Sequence, residues 1–208
     1  MKNNILKLLN FFNVHPDKNQ RWILFSLFLS GLLFTYISPA IMKNIITELP
    51  AEWIAFQSLF ISIAGLIIGV LWKKKTRSFA IKYFTLLAIA ESIIGCALGC
   101  YLCFVKYNVW AFAITSLIYT SFITIFVSKC TMAFKSVLWN NQERETYDNN
   151  TAIVSGLVCI VGFLAALCFM PTLKTALFIW AICCVLDDIG WIIVYFKNKT
   201  ILKNIVEK

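Results

Sequence analysis

Six stretches of about twenty mostly apolar residues, separated by short polar segments, leave this chain few folds to choose from. A run of that length matches the hydrocarbon thickness of a bilayer crossed as a helix. The stretches fall at Trp22–Met42, Trp53–Trp72, Ala80–Val105, Val109–Ser128, Thr151–Met170 and Ala176–Phe196. Together they take up most of the 208 residues, and the 60% hydrophobic content and mean hydropathy of +0.79 leave no water-facing domain of useful size. The expected fold class is therefore all-α, a polytopic membrane protein of six transmembrane helices. Residues 1–21 form a cytoplasmic or interfacial N-terminal segment, 22–196 the transmembrane domain, and 197–208 a C-terminal tail.

The basic residues orient the spans. Of the 19 lysines and arginines, four precede the first span, five run from the end of the second span to the first turn of the third, three follow the fourth, and four are in the tail. Only Lys43, Lys106 and Lys174 fall on the other side. Basic residues are retained in the cytosol, so both termini are expected there. The net charge of +9 flanks the spans, where anionic headgroups account for it, and nucleic acid is not an expected partner. Ahead of the first span, Ile5, Leu8, Leu9 and Phe12 recur at helical spacing. They suggest a short helix in the cytoplasmic interface rather than a cleaved signal, although a frayed tail fits the same residues.

The eight cysteines lie within or at the end of spans and read as small packing residues. Cys100 and Cys103 have CxxC spacing, with Cys96 nearby, but no second ligand pair accompanies them. The single histidine, His15, precedes the first span, so neither a metal nor a cofactor is expected. No span contains histidine, which membrane phosphatases and intramembrane proteases commonly need at membrane depth. The serines and threonines of the first and fourth spans, among them Ser26, Ser30, Thr35, Thr115, Ser116 and Thr120, read as helix-bonding hydroxyls. The chain is not expected to be an enzyme.

Three carboxylates interrupt the apolar spans. Glu91 is near the middle of the third, and Asp187 and Asp188 are near the middle of the sixth. At ~2.5–3.5 kcal/mol each, three lipid-facing acids would cost about 8–10 kcal/mol, so they must face protein or water or be protonated. Glu91, Gly95 and Gly99 share one helix face, where a second backbone can approach closely. Adjacent helical residues point about 100° apart, so Asp187 and Asp188 must face different surroundings. A proton- or cation-linked carboxyl and a protonated acid bonded within the bundle both fit. Glu91 is the first candidate for proton coupling and Asp188 the second, with Asp187 beside it.

On the inner face, Lys73-Lys74-Lys75-Thr76-Arg77 is a compact basic turn, and Trp139–Asn150 reads as a polar loop. Tyr36-Ile37-Ser38-Pro39-Ala40 in the first span, then Gly65-Leu66-Ile67-Ile68-Gly69 running into the basic turn, resemble the start of a major facilitator superfamily transporter. Gly69, Leu71 and the basic cluster match that family's turn between its second and third helices, with Lys73 at its aspartate position. Asn141-Gln142-Glu143-Arg144 is similar to the family's turn after the fourth helix. This resemblance implies a membrane transporter of a small solute, one six-helix half of a family fold whose two halves are related by an axis along the membrane normal. The chain would work as a homodimer or with a second six-helix half. It implies that helices one and four line the pathway, that two and five form the contact between halves, and that three and six are peripheral. The corresponding pathway groups are Tyr36, Gln57, Tyr119, Ser121 and Thr124. The gating residues are Lys73, Arg77, Glu143 and Arg144, and the contact residues are Gly65, Gly69, Gly156, Gly162 and Ala166. Two other readings stay open, a six-helix substrate-binding subunit of a vitamin uptake complex and a non-transport membrane protein such as an immunity or assembly factor.

Overall fold

The computed structural model of the chain describes residues 20–72, 77–104, 107–118, 121 and 125–206. Eight α-helices account for nearly all of them, and no strand occurs among the described residues. In chain order they are α1 (Arg21–Glu48), α2 (Glu52–Trp72), α3 (Arg77–Phe104), α4 (Val109–Ile118), α5 (Ile125–Leu138), α6 (Asn141–Cys168), α7 (Leu173–Lys197) and α8 (Lys199–Val206). The stretches Arg21–Glu48, Lys82–Phe104, Asn141–Cys168 and Leu173–Lys197 are long and apolar enough to cross a membrane. Shorter apolar stretches, Ala55–Val70 and Val109–Ile118, lie in α2 and α4. The outward faces are apolar, with Leu66 69% and Leu167 81% exposed. Helices that are apolar all round suit a lipid environment, and the molecule is a helical membrane protein.

α7 packs against both α1 and α3, and α1 packs in turn against α6. Small residues set these contacts. A Cβ built on Gly190 of α7 would lie 2.6 Å from the Ile23 Cα and 2.7 Å from the Trp22 carbonyl oxygen, so α1 and α7 meet backbone to backbone. On the other side of α7, a Cβ on Gly99 of α3 would lie 2.7 Å from the Ala181 Cβ. The pairings also fix direction. Gly190 meets Ile23 while Ser26 bonds to Leu186, so α7 runs antiparallel to α1. Ser92 meets Asp188 while Gly99 meets Ala181, so it is antiparallel to α3 as well. Gly31 faces Val158 and Gly162 faces Thr35, which makes α6 parallel to α1.

Two apolar cores lie along this assembly. Towards the start of α1, Ile23, Leu24, Phe134, Trp139, Tyr147, Val154, Val194 and Leu202 are buried together. At the edge of that core Phe84, buried beside Cys130, stacks its ring on Phe134 at 4.9 Å, and Trp191 meets Phe84, Phe134, Trp139 and Tyr147. Towards the other end of α1, Ile37, Ala40, Leu102, Phe112, Leu177 and Trp180 form the second core.

Two expectations from the sequence change here. Trp139–Asn150 is not a solvated loop, because α6 begins at Asn141 and carries the polar residues in its first turns. The Asn140 side chain accepts from the Glu143 N–H at 2.8 Å and the Glu143 carboxylate accepts from the Asn140 N–H at 2.8 Å, a reciprocal cap. Within the tail, α8 covers Lys199–Val206, with Leu202 buried in the first core and α3 alongside. Finally, the helix expected as the sixth span, and as peripheral, packs on α1, α3 and, through Trp191, α5 and α6.

Candidate functional site

Placing α7 between α1 and α3 gives its two adjacent aspartates different neighbours. Asp188 points towards α3, where the Ser92 hydroxyl donates to its Oδ2 at 2.9 Å. Asp187 points towards α1, where the Ser30 hydroxyl lies 3.1 Å from its Oδ1. One turn away the Ser26 hydroxyl donates to the Leu186 carbonyl, and the Cys183 thiol lies 3.6 Å from the Ser30 carbonyl. The angular separation of neighbouring helical residues thus turns Asp187-Asp188 into two separate contacts, one to each flanking helix.

Burial separates them further. Glu91 is 6% exposed and Asp188 5%, and Glu91 lies within electrostatic reach of Asp188. Asp187 is exposed although protein atoms surround it closely. Asp187 stands near the middle of the apolar helix α7. Trp191 is one turn further along the same helix, about 6 Å in rise. Tyr147 of α6 meets the Trp191 ring at 6.1 Å and lies within electrostatic reach of Asp187. No described basic side chain forms an ion pair with Asp187 or Asp188, and the ion pair found among the described residues is Lys135–Asp148 at 3.2 Å. The Lys135 ammonium also lies 4.2 Å from the Tyr147 ring centre and 6.0 Å from that of Trp191.

The glycine face read from the sequence is buried, and its Gly99 meets α7. Glu91, Gly95 and Gly99 are all buried, with Gly99 against Ala181. Of the residues expected along a pathway, Tyr36 is half-buried beside the second core, Gln57 is half-buried on α2, and Ser121 is fully buried. No hydrogen bond among the described residues links these three; Tyr119 and Thr124 lie outside the described residues. Of the gating residues, Lys73 lies outside them and Arg77 opens α3. Glu143 is engaged in the α6 cap, and Arg144 bonds to the Asn141 side chain next to it. Both are therefore satisfied within α6's own first turns.

Of the expected contact glycines, Gly65, Gly69 and Gly156 have nothing within 4 Å of an added Cβ. Gly162 is corrected. It is buried within the chain, where an added Cβ would come 2.7 Å from the Thr35 Cβ, and Ala166 on the same face is buried too. Among the described residues no group of three His, Cys, Asp or Glu side chains is arranged to hold a metal. Cys96 and Cys100 line an apolar groove of about 430 Å³ between α3 and α7, whose one hydroxyl, on Ser92, is already given to Asp188.

Ser92 was not singled out from the sequence, and Ser30 was one hydroxyl among many. The available signal was position: Ser92 directly follows the mid-span acid Glu91. In comparisons with known proteins, no family model, no curated protein and no solved structure matches the chain.

Proposed function

We propose that this protein is a membrane transporter of a small solute that exchanges a proton at the acids between α1, α3 and α7. The observation that carries this reading is Asp187, an exposed carboxylate near the middle of an apolar helix, beside the buried acids Asp188 and Glu91. A carboxyl at that depth is costly unless it serves a polar pathway, and one reachable by water can load and release a proton. Asp187 takes the lead role in this reading, with Asp188 and Glu91 behind it.

The wider reading is of a six-span chain with both termini in the cytoplasm, resembling one half of a major facilitator transporter and acting as a homodimer. The distribution of basic residues supports the topology, as do the common direction of α1, α3 and α6 and the reverse direction of α7. Open space around Gly65, Gly69 and Gly156 supports close approach of a second copy there.

The test is pH-gradient-driven movement of candidate solutes in proteoliposomes. Asp187→Asn should abolish it while leaving the folded protein intact by thermal unfolding. Gradient-driven transport retained in Asp187→Asn, Asp188→Asn and Glu91→Gln alike would contradict proton coupling at these acids. A reporter fused after Lys208 should read cytoplasm, and one after a truncation at Met42–Pro50 should read exterior.

A further inference from the structure

We propose that the groove between α3 and α7 binds one long-chain fatty acid, with its chain laid along the groove and its carboxylate at Lys174. Asp187 is not among the lining residues, and the site stands independently of the transporter reading.

Side-chain size makes the groove. Cys96, Ala97 and Cys100 are small residues on one face of α3, and between them and Val185 and Ile189 of α7 a hollow of about 430 Å³ remains. Small-ligand sites hold about 300–1,000 Å³, so the hollow has room for one chain rather than two. It extends from Ile89 to Cys100, about 16 Å of rise along α3. Ile93 and Ile189 beside it are 63% and 39% exposed, so it opens sideways, where the hydrocarbon of a bilayer would lie. The Ser92 hydroxyl is already given to Asp188 at 2.9 Å, and the lining offers no other hydroxyl to a polar occupant.

One end of the groove supplies a charge. A turn beyond Cys100 on the same face of α3, the Phe104 ring meets Phe178 of α7 edge to face at 5.9 Å. The Lys174 ammonium, in the first turn of α7, lies 5.8 Å from the Phe104 ring centre. All three side chains are exposed, and Lys174 forms no ion pair among the described residues. An apolar groove that leads past two aromatic rings to an unpaired cation matches an amphiphile with one chain and one negative charge. A chain already in hydrocarbon gains packing contacts in the groove rather than hydrophobic burial. The preference for an anion over a neutral lipid therefore comes from Lys174. A phospholipid would have to leave one of its two chains outside.

The test is photolabelling of the full chain in phosphatidylcholine proteoliposomes with palmitate that carries a diazirine in its chain, followed by peptide mapping. Adducts should map to 89–100 and 185–192 and fall at least fivefold with excess palmitate, but not with excess hexadecanol, octanoate or phosphatidylglycerol. Lys174→Gln should reduce labelling at least fivefold and Lys174→Arg should keep it. Ala97→Phe, which fills the groove from an exposed position, should abolish it. Adducts outside the groove, undiminished labelling in a folded Lys174→Gln or Ala97→Phe, or equal competition by hexadecanol would overturn the proposal. Equal competition by phosphatidylglycerol would give the groove to a bilayer lipid and overturn it as well. If the variants do not fold, alkylation of the half-buried Cys96 and Cys100 of the wild-type chain by N-ethylmaleimide decides. Palmitate should slow it at least threefold, and an unchanged rate overturns the proposal.

Discussion

Ser92 on α3 and Asp188 on α7 are both buried and joined by a hydrogen bond of 2.9 Å, which ties the two helices at the level of the acid cluster. Hydrogen bonds between membrane helices are worth about 0.6 kcal/mol on average and up to about 1.7. A double-mutant cycle of Ser92→Ala and Asp188→Asn, read by unfolding in detergent, should therefore give a coupling of about 0.5–1.7 kcal/mol. A coupling of zero would mean the two side chains do not act together in the folded protein.

The glycines should split into two groups. Gly190→Ala and Gly99→Ala force a methyl group into backbone or side-chain atoms under 3 Å away, and each should destabilise by about 1–3 kcal/mol. Gly156→Ala adds its methyl where nothing of its own chain lies within 4 Å and replaces a flexible residue within a helix, so the stability of the single chain should be unchanged or raised by up to ~1 kcal/mol. Thermal unfolding of the three variants in one detergent checks the ordering, and a loss in Gly156→Ala equal to that in Gly190→Ala would refute it.

At the start of α6, Asn140→Ala removes the side chain that accepts from the Glu143 N–H and should lower stability by about 0.5–2 kcal/mol. Asn140→Asp, which can still cap, should stay near wild type. Hydrogen exchange of the first turn of α6 reports the change locally, and equal protection in Asn140→Ala and wild type would show that the cap contributes nothing.

The parts legible in the sequence were those set by long apolar runs. α1, α3, α6 and α7 all follow from them, and the Glu91–Gly95–Gly99 stripe marked a buried face whose Gly99 meets α7. What the runs did not reveal came from short-range chemistry and from three-dimensional neighbours. The polar residues Asn141–Asp148 looked like a loop because hydropathy fails there, yet Asn140 and Glu143 cap a helix that starts ten residues before the apolar stretch. Gly162 looked available for a second copy, but its position four residues after Val158 places it against Thr35 of a parallel helix. Glu91 and Asp188 ranked above Asp187 in the sequence because only Glu91 had a packing pattern. Which aspartate is accessible depends on how α7 is rotated between α1 and α3, and periodicity in α7 alone does not set that rotation.

The central claim, that Asp187 is the accessible acid of the three at membrane depth, is tested most directly by labelling with a hydrophobic carbodiimide in native membranes, followed by peptide mapping. The account predicts that the adduct forms first on Asp187, with Asp188 and Glu91 protected by burial. An adduct on Asp188 or Glu91 ahead of Asp187, or no adduct on any of the three, would contradict it.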